Sequence, residues 1–81
     1  MSRRLWDACT PPQRDVLVVL ARTGWSNELI GRELGITADD VKYRLRGIYN
    51  RTKITKRSAL VMAYLRECHL TGVSVTVPLI V

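Results

Sequence analysis

Four polar or charged side chains recur at helical spacing near the middle of the chain: Lys42, Tyr43, Arg46 and Asn50. Arg, Lys and Asn side chains can hydrogen-bond the edges of bases, and Tyr hydroxyls bond phosphate oxygens. These residues therefore offer the chemistry of recognising a polyanion whose edges carry donors and acceptors, and double-stranded DNA is such a polymer.

The charge of the chain is distributed unevenly. There are 13 Lys and Arg residues against 7 Asp and Glu, a net charge of +6. Downstream of Asp40, no acidic residue interrupts the basic ones before Glu67. A one-sided positive charge favours nucleic acid or an anionic membrane surface as the partner. The simpler alternative is that these charges only keep a helix in solution.

An inward apolar stripe predicts a helix over residues 38–52. Its members recur at i, i+4 and i+7 with a weak fourth at i+11: Val41, Leu45, Ile48 and Thr52. Thr37 is a suitable N-cap, and Asp40 completes an acidic variant of the capping box. The side chains that could bind DNA lie off this stripe and must face solvent or a partner.

A shorter helix precedes this one and is joined to it through a turn at Gly35. Ser26 is its expected N-cap, and Gly31 lets another helix approach closely. Its inward positions are Leu29, Ile30 and Leu34. Two helices joined in this way commonly place the second one in the DNA major groove.

Two further helices are predicted on either side of this pair. The first begins at Thr10, where Pro11 and Gln13 complete a helix-start signal, and ends at Gly24. The last runs over about residues 56–68, with Thr55 as its cap. Its apolar surface predicts either a dimer face or a helix packed more deeply in its own core. The residues of that dimer face would be Leu60, Val61, Tyr64 and Leu65.

The length of the chain, 81 residues, fits one domain with a marginal core. Residues 1–9 are predicted to be an N-terminal arm, and residues 10–70 the helical domain. Residues 71–81 form an apolar tail whose alternation before Pro78 is typical of a strand. Because a lone strand is unstable, we expect this tail to contact a second copy or another protein. The predicted fold is all-α: a four-helix helix-turn-helix domain with a short β-like C-terminal tail.

Short motifs follow one another without insertions from Thr10 to about Ala63. They are Thr10-Pro11, Val16-Leu17, residues 24–28 (GWSNE), Ile30, residues 34–37 (LGIT), Val41-Lys42, Leu45, Ile48-Tyr49, Arg57 and Ala59-Leu60. On these residues, which span about two thirds of the chain, the sequence resembles the helix-turn-helix domain of LuxR-type (GerE-like) transcription regulators.

The resemblance implies a function for individual positions. It implies four helices, with the third in the major groove and the fourth at the dimer contact. Lys42, Tyr43 and Arg46 would then read bases. The residues near phosphates would be Ser26, Asn27, Arg44 and Arg57 by resemblance, and Asn50, Arg51, Lys53 and Lys56 from the basic outward face.

The sequence also departs from the family pattern. Asp40 stands where the family commonly has Thr, and its charge would repel a phosphate. Arg44 replaces a His and could restore a phosphate contact. Thr52-Lys53 replaces a Leu-Gly pair after the third helix. Family members usually carry a receiver or ligand-sensing domain before this one. None is seen here, so regulation by phosphorylation or a bound signal within this chain is not expected.

Catalysis, cofactors and metals are not expected. The sequence has no Gly-rich phosphate loop, and Cys9, Cys68 and His69 are too few for a zinc site. Two reduced thiols are typical of a cytosolic protein. No signal peptide or membrane-length apolar run is visible. We therefore expect a soluble, cytoplasmic protein that neither spans nor binds membranes.

Two functional hypotheses follow from the sequence. The first is a small sequence-specific DNA-binding transcription regulator, expected to be a homodimer that places helix 38–52 in the major groove. The alternative is an interaction protein that binds a LuxR-type regulator or RNA polymerase and modulates it. Asp40 and the apolar tail motivate the alternative.

Overall fold

The computed structural model describes the backbone of residues 4–71 and the side chains of residues 4–69. The described residues form helices and connections without any strand, which confirms the predicted all-α class for this part of the chain. The expected β-like tail lies almost wholly outside the described residues. The helices are α1 (Arg4–Ala8), α2 (Pro11–Thr23), α3 (Asn27–Leu34), α4 (Ala38–Thr52) and α5 (Arg57–Thr71).

The start and end of α2 follow from local hydrogen bonds. The backbone N–H of Gln13 donates to Thr10 Oγ1 over 3.4 Å, and the Gln13 side-chain oxygen accepts from the Thr10 N–H over 2.9 Å. These two bonds confirm the predicted capping box. At the other end Gly24 adopts φ +67°, and its N–H donates to Leu20 O over 2.8 Å. A residue with a side chain would be strained in that left-handed conformation.

The turn between α3 and α4 depends on two glycines. Gly35 takes the left-handed conformation with φ +71°. Gly31 is buried, and a Cβ there would lie 2.6 Å from Ile36 O. The close approach at Gly31 is therefore made by the backbone of the turn and not by another helix as predicted. The Ile36 N–H of this turn donates to Gly31 O over 2.8 Å. This contact fixes the angle at which α4 leaves α3.

A single core joins all five helices. Each helix contributes at least one fully or almost fully buried residue, and α4 contributes the predicted stripe of Val41, Leu45 and Ile48. The other buried side chains are Leu5, Cys9, Val16, Leu17, Leu20, Ile30, Leu60, Tyr64 and Cys68. Burial of this stripe determines which residues of α4 face outward.

Residues 4–8 of the expected N-terminal arm form the helix α1, which packs on the core. Leu5 is buried, and the Glu67 carboxylate of α5 accepts hydrogen bonds from the N–H groups of Leu5 and Trp6. Arg14 Nε donates to Trp6 O over 3.0 Å, and the Arg14 guanidinium lies 5.1 Å from the centre of the Trp6 ring. The Trp6 and Tyr64 rings are 6.1 Å apart. Side chains from α2 and α5 therefore hold this short helix.

The start of α5 differs from the prediction by one residue. Its first helical hydrogen bond runs from Leu60 N–H to Lys56 O over 3.0 Å. The accepting carbonyl belongs to the N-cap residue, so Lys56 and not Thr55 occupies that position. Without a Ser, Thr, Asp or Asn cap, α5 depends more on its packing than on local signals.

The dimer face predicted on α5 needs correction. Leu60 is 0 % exposed and Tyr64 6 % exposed, because both pack in the core of their own chain. They are therefore unavailable to a second chain in this structure. Val61 and Leu65 are half-buried against the core, and Met62 is 58 % exposed. The sequence left open whether the apolar surface of α5 is a dimer face or is packed in the core of its own chain. Most of that surface, within the described residues, is packed in the core.

Within residues 4–71, no helix combines the length and apolar character needed to cross a membrane.

Candidate nucleic-acid interface

The outer face of α4 lies opposite the buried stripe. It consists of Asp39, Tyr43, Arg46 and Asn50, which recur at i, i+4, i+7 and i+11 and are all exposed. Tyr43 is 78 % exposed, although it is a large aromatic residue. The structure thus turns two of the three predicted base-reading residues and one predicted phosphate ligand outward on one surface.

Lys42, the third predicted base-reading residue, lines a notch beside this outer face. The notch lies where α3, α4 and the start of α5 meet. Its lining residues are Asn27, Lys42, Leu45, Arg46, Tyr49 and Arg57. Three of these six carry a positive charge and none carries a negative one. Within the described residues, neither Lys42 nor Arg46 makes a hydrogen bond or ion pair. These three positive charges would attract an anion such as a phosphate group.

Arg57 is held in the notch by two short hydrogen bonds. Its Nη1 donates to Asn27 Oδ1 over 2.7 Å, and its Nη2 donates to Trp25 O over 2.6 Å. A guanidinium has five N–H groups, so three remain after these two bonds. The half-buried Arg57 thereby ties the start of α5 to the start of α3 and still has donors for a ligand. The sequence placed Asn27 and Arg57 separately near phosphates but gave no sign that they bond each other.

The opposite flank of α4 faces α1 and α2. It consists of Asp40, Arg44, Gly47 and Arg51, again at i, i+4, i+7 and i+11. Gly47 lies against the end of the Gln13 side chain, so a Cβ at this position would require that side chain to shift.

The two arginines of this flank reach across to carbonyl groups. Arg44 Nη1 donates to Pro12 O over 3.4 Å, and Arg51 Nη1 donates to Ala8 O over 3.3 Å. These bonds are long and exposed, so they are weak. Both arginines, predicted as phosphate ligands, lie at the edge of the outer face.

The other predicted phosphate ligands lie at helix ends. Ser26 accepts a 3.5 Å hydrogen bond from Leu29 N–H as the cap of α3, and it is exposed. Lys53 is exposed and adopts φ +61°, the only positive φ of a non-glycine residue in the described chain. Lys56 is exposed at the N-cap of α5. Lys53 therefore presents its ammonium group at the C-terminal end of α4, whereas Lys56 lines a groove with Leu20 and Gly24.

The acidic residue that departs from the family pattern is engaged in the fold. Asp40 N–H donates to Thr37 Oγ1 over 3.1 Å, and Asp40 Oδ2 accepts from Thr37 N–H over 3.4 Å. The predicted acidic capping box is confirmed. The carboxylate of Asp40 is therefore drawn back to the helix start, on the flank that faces α2.

The other reactive groups of the described chain include two thiols. The thiols of Cys9 and Cys68 are free and buried. Burial raises the pKa of the Cys9 thiol, Glu67 raises it further, and Arg14 and Arg51 oppose the shift. A thiol with a raised pKa is a poor nucleophile near neutral pH. Among the described residues, no three His, Cys, Asp or Glu side chains are grouped so as to hold a metal ion.

Comparisons with known proteins return no match among protein-family models, curated proteins or solved structures.

Proposed function

We propose that this protein is a sequence-specific DNA-binding transcription regulator with a LuxR-type helix-turn-helix domain, in which α3 and α4 form the motif. One observation carries the proposal. The exposed outer face of α4 continues into a notch with three positive charges, Lys42, Arg46 and Arg57, and no negative one. A helix with this combination suits the DNA major groove, which admits an α-helix and is bordered by phosphates.

The notch and the outer face suit different parts of DNA. Arg57 is fixed by Asn27 and Trp25 and lies at the side of α4, where it can bind a backbone phosphate. Such a contact sets the register of the protein on the duplex. Arg46 and Tyr43 project from the middle of α4 and can reach base edges. Lys42 lies between the two regions and can serve either.

The size of α4 agrees with this arrangement. Its 15 residues give a helix about 22 Å long, and the residues of its outer face span about three turns. A helix of this length contacts about four or five base pairs along a groove. Such a short site favours two copies on a two-fold-related sequence. The proposal therefore includes a homodimer, in which Val61, Met62 and Leu65 of α5 lie nearest the partner. It also includes a cytoplasmic location.

The test is selection of duplexes from a random library by the purified protein, at about 0.15 M salt. Enrichment of a palindrome is the expected result, with half-sites about one helical turn of DNA apart. Binding of the selected duplex should weaken as salt rises, because phosphate contacts release counterions. Retention without enrichment that vanishes on adding salt would contradict the proposal and leave only non-specific phosphate attraction.

A charge-matched pair of variants strengthens the test. Lys42→Ala and Arg22→Ala each remove one positive charge, but Arg22 lies at the end of α2 and does not line the notch. We expect the first variant to lose affinity for the selected duplex by about tenfold and the second to stay close to the unmodified protein. Equal losses would mean that net charge alone attracts the DNA.

A further inference from the structure

Two adjacent aspartates begin α4, and the structure places them on different faces. Asp40 lies on the flank with Arg44 and exchanges hydrogen bonds with Thr37 in the capping box. Asp39 lies on the outer face, four residues before Tyr43 and seven before Arg46. The fold thus accounts for Asp40 through a local structural role, and Asp39 requires a separate explanation.

Asp39 contributes little to the stability of the fold. Its side chain is exposed, and no hydrogen bond or ion pair joins it to another residue of the described chain. A carboxylate in the first turn of a helix interacts favourably with the helix dipole, which contributes about 0.3–1 kcal/mol at an exposed position. Asp40 already supplies that interaction one residue later. A negative charge on the outer face also opposes the attraction of that face for phosphates.

The chemistry of a carboxylate restricts what Asp39 can contact in a major groove. An ionised carboxylate only accepts hydrogen bonds. The major-groove edges of guanine and thymine present acceptors, N7 and O6 or O4, which a carboxylate repels. Only cytosine N4 and adenine N6 present a donor there, an exocyclic amino group.

From this placement we infer that Asp39 is a specificity-determining residue, which accepts a hydrogen bond from the exocyclic amino group of a cytosine or adenine. The inference rests on the proposed binding of α4 in the major groove and adds to it the base that one residue selects. Arg46 and Asp39 then favour opposite kinds of base edge along one face of α4. Arg46 suits the acceptor edge of guanine, and Asp39 suits a donor edge.

The position of the selected base follows from the helix geometry. Asp39 lies four residues before Tyr43, which is slightly more than one turn and about 6 Å along the helix axis. Successive base pairs are about 3.4 Å apart. The amino-bearing base should therefore lie one to two base pairs beyond the contact of Tyr43, on the side where α4 begins.

The test compares Asp39→Asn with Asp40→Asn in the same library selection. Each variant raises the net charge from +6 to +7, so any general gain in affinity should be shared. Asn at either position is nearly isosteric, and thermal unfolding followed by circular dichroism verifies that both variants fold. The amide both donates and accepts, so Asp39→Asn no longer rejects bases with an acceptor edge.

The expected result is confined to one variant. Asp39→Asn should lower the discrimination for cytosine or adenine at one position of each half-site by about tenfold, and Asp40→Asn should leave it unchanged. A duplex with 2-pyrimidinone or purine at that position, which lacks the amino group, should bind the unmodified protein about tenfold more weakly. The same change of duplex should weaken binding of Asp39→Asn by clearly less than tenfold, because a neutral amide accepts a weaker hydrogen bond from the amino group than a carboxylate does.

Two results would overturn the inference, and they are distinguishable. If the unmodified protein selects a sequence and Asp39→Asn selects the same one with equal discrimination, Asp39 does not read a base, but the proposed function stands. If the unmodified protein selects no sequence, the proposed function and the inference both fail.

Discussion

The two sides of α4 carry arginines that the structure treats differently. Arg44 and Arg51 lie on the flank that faces α1 and α2, where each donates a long hydrogen bond to a backbone carbonyl. Arg46 belongs to the outer face and also lines the notch. Within the described residues it has no hydrogen-bonding or charged partner. All three residues carry the same charge on the same helix, so their different environments follow from their positions around the helix axis.

This difference shows that net charge alone does not identify which single residues of a surface can contact a ligand. Any basic stretch attracts polyanions as a whole, but only side chains that point away from a fold can reach a base. A flank residue can contact a phosphate at the groove edge without reading the sequence. Predictions for individual residues therefore depend on the helix face as well as on charge.

The largest effect should come from the inner side of α4. Ile48 is 0 % exposed in the core, and Ile48→Ala should lower the free energy of unfolding by about 2–5 kcal/mol. Tyr43→Ala on the outer face should change it by less than about 0.5 kcal/mol. Chemical denaturation of both variants measures the comparison. Comparable losses would show that the outer face also packs in the fold.

An intermediate effect is expected at Arg57, which belongs to both the fold and the notch. Arg57→Ala removes the hydrogen bonds to Asn27 and Trp25 and should lower the free energy of unfolding by roughly 1–3 kcal/mol. DNA affinity should fall for every sequence. Lys56→Ala is the control, because it removes the same charge one residue earlier without breaking a hydrogen bond. An unchanged stability of Arg57→Ala would mean that the two bonds contribute nothing.

The smallest effect should appear at Lys53, where stability and binding are expected to change in opposite directions. Its φ of +61° is unfavourable for a residue with a side chain, so Lys53→Gly should raise the free energy of unfolding by about 1 kcal/mol. Lys53→Ala keeps the unfavourable conformation and should not gain. Both variants lose the ammonium group, and both should bind all sequences slightly more weakly with a lower salt slope. A gain for Lys53→Ala equal to that for Lys53→Gly would contradict this explanation.

Local signals made much of the fold predictable. Thr10 with Gln13 and Thr37 with Asp40 form the capping boxes that their spacing predicts, and Gly24 ends α2 in the left-handed conformation. These features depend only on residues three or four apart or on the freedom of glycine. The inward stripe of α4 is likewise a matter of helical periodicity.

Features that depend on distant residues were not predictable in the same way. The helix α1 has only five residues, and the Glu67 carboxylate that caps it comes from the far end of the chain. Short helices carry too little periodicity to identify, and their stability comes from packing. The burial of Leu60 and Tyr64 has the same origin, because the apolar pattern of α5 did not reveal how much α1 and α2 would cover.

The same distinction between nearby and distant residues applies to the candidate site. The outward direction of Tyr43, Arg46 and Asn50 followed from their place relative to the stripe. The notch did not, because it needs Asn27 and Arg57, which are 30 residues apart, to meet. The placement of Asp39 and Asp40 on different faces of α4 was not predicted either.

The most direct test of the account measures the selectivity of Arg46→Ala and Arg44→Ala. Both variants lower the net charge from +6 to +5, and both are compared on the selected duplex and on a scrambled duplex of equal length. The account predicts that Arg46→Ala lowers the ratio of the two affinities by about tenfold, whereas Arg44→Ala weakens both duplexes alike and leaves the ratio unchanged. Equal ratios for the two variants would contradict the claim that the outer face of α4 reads DNA.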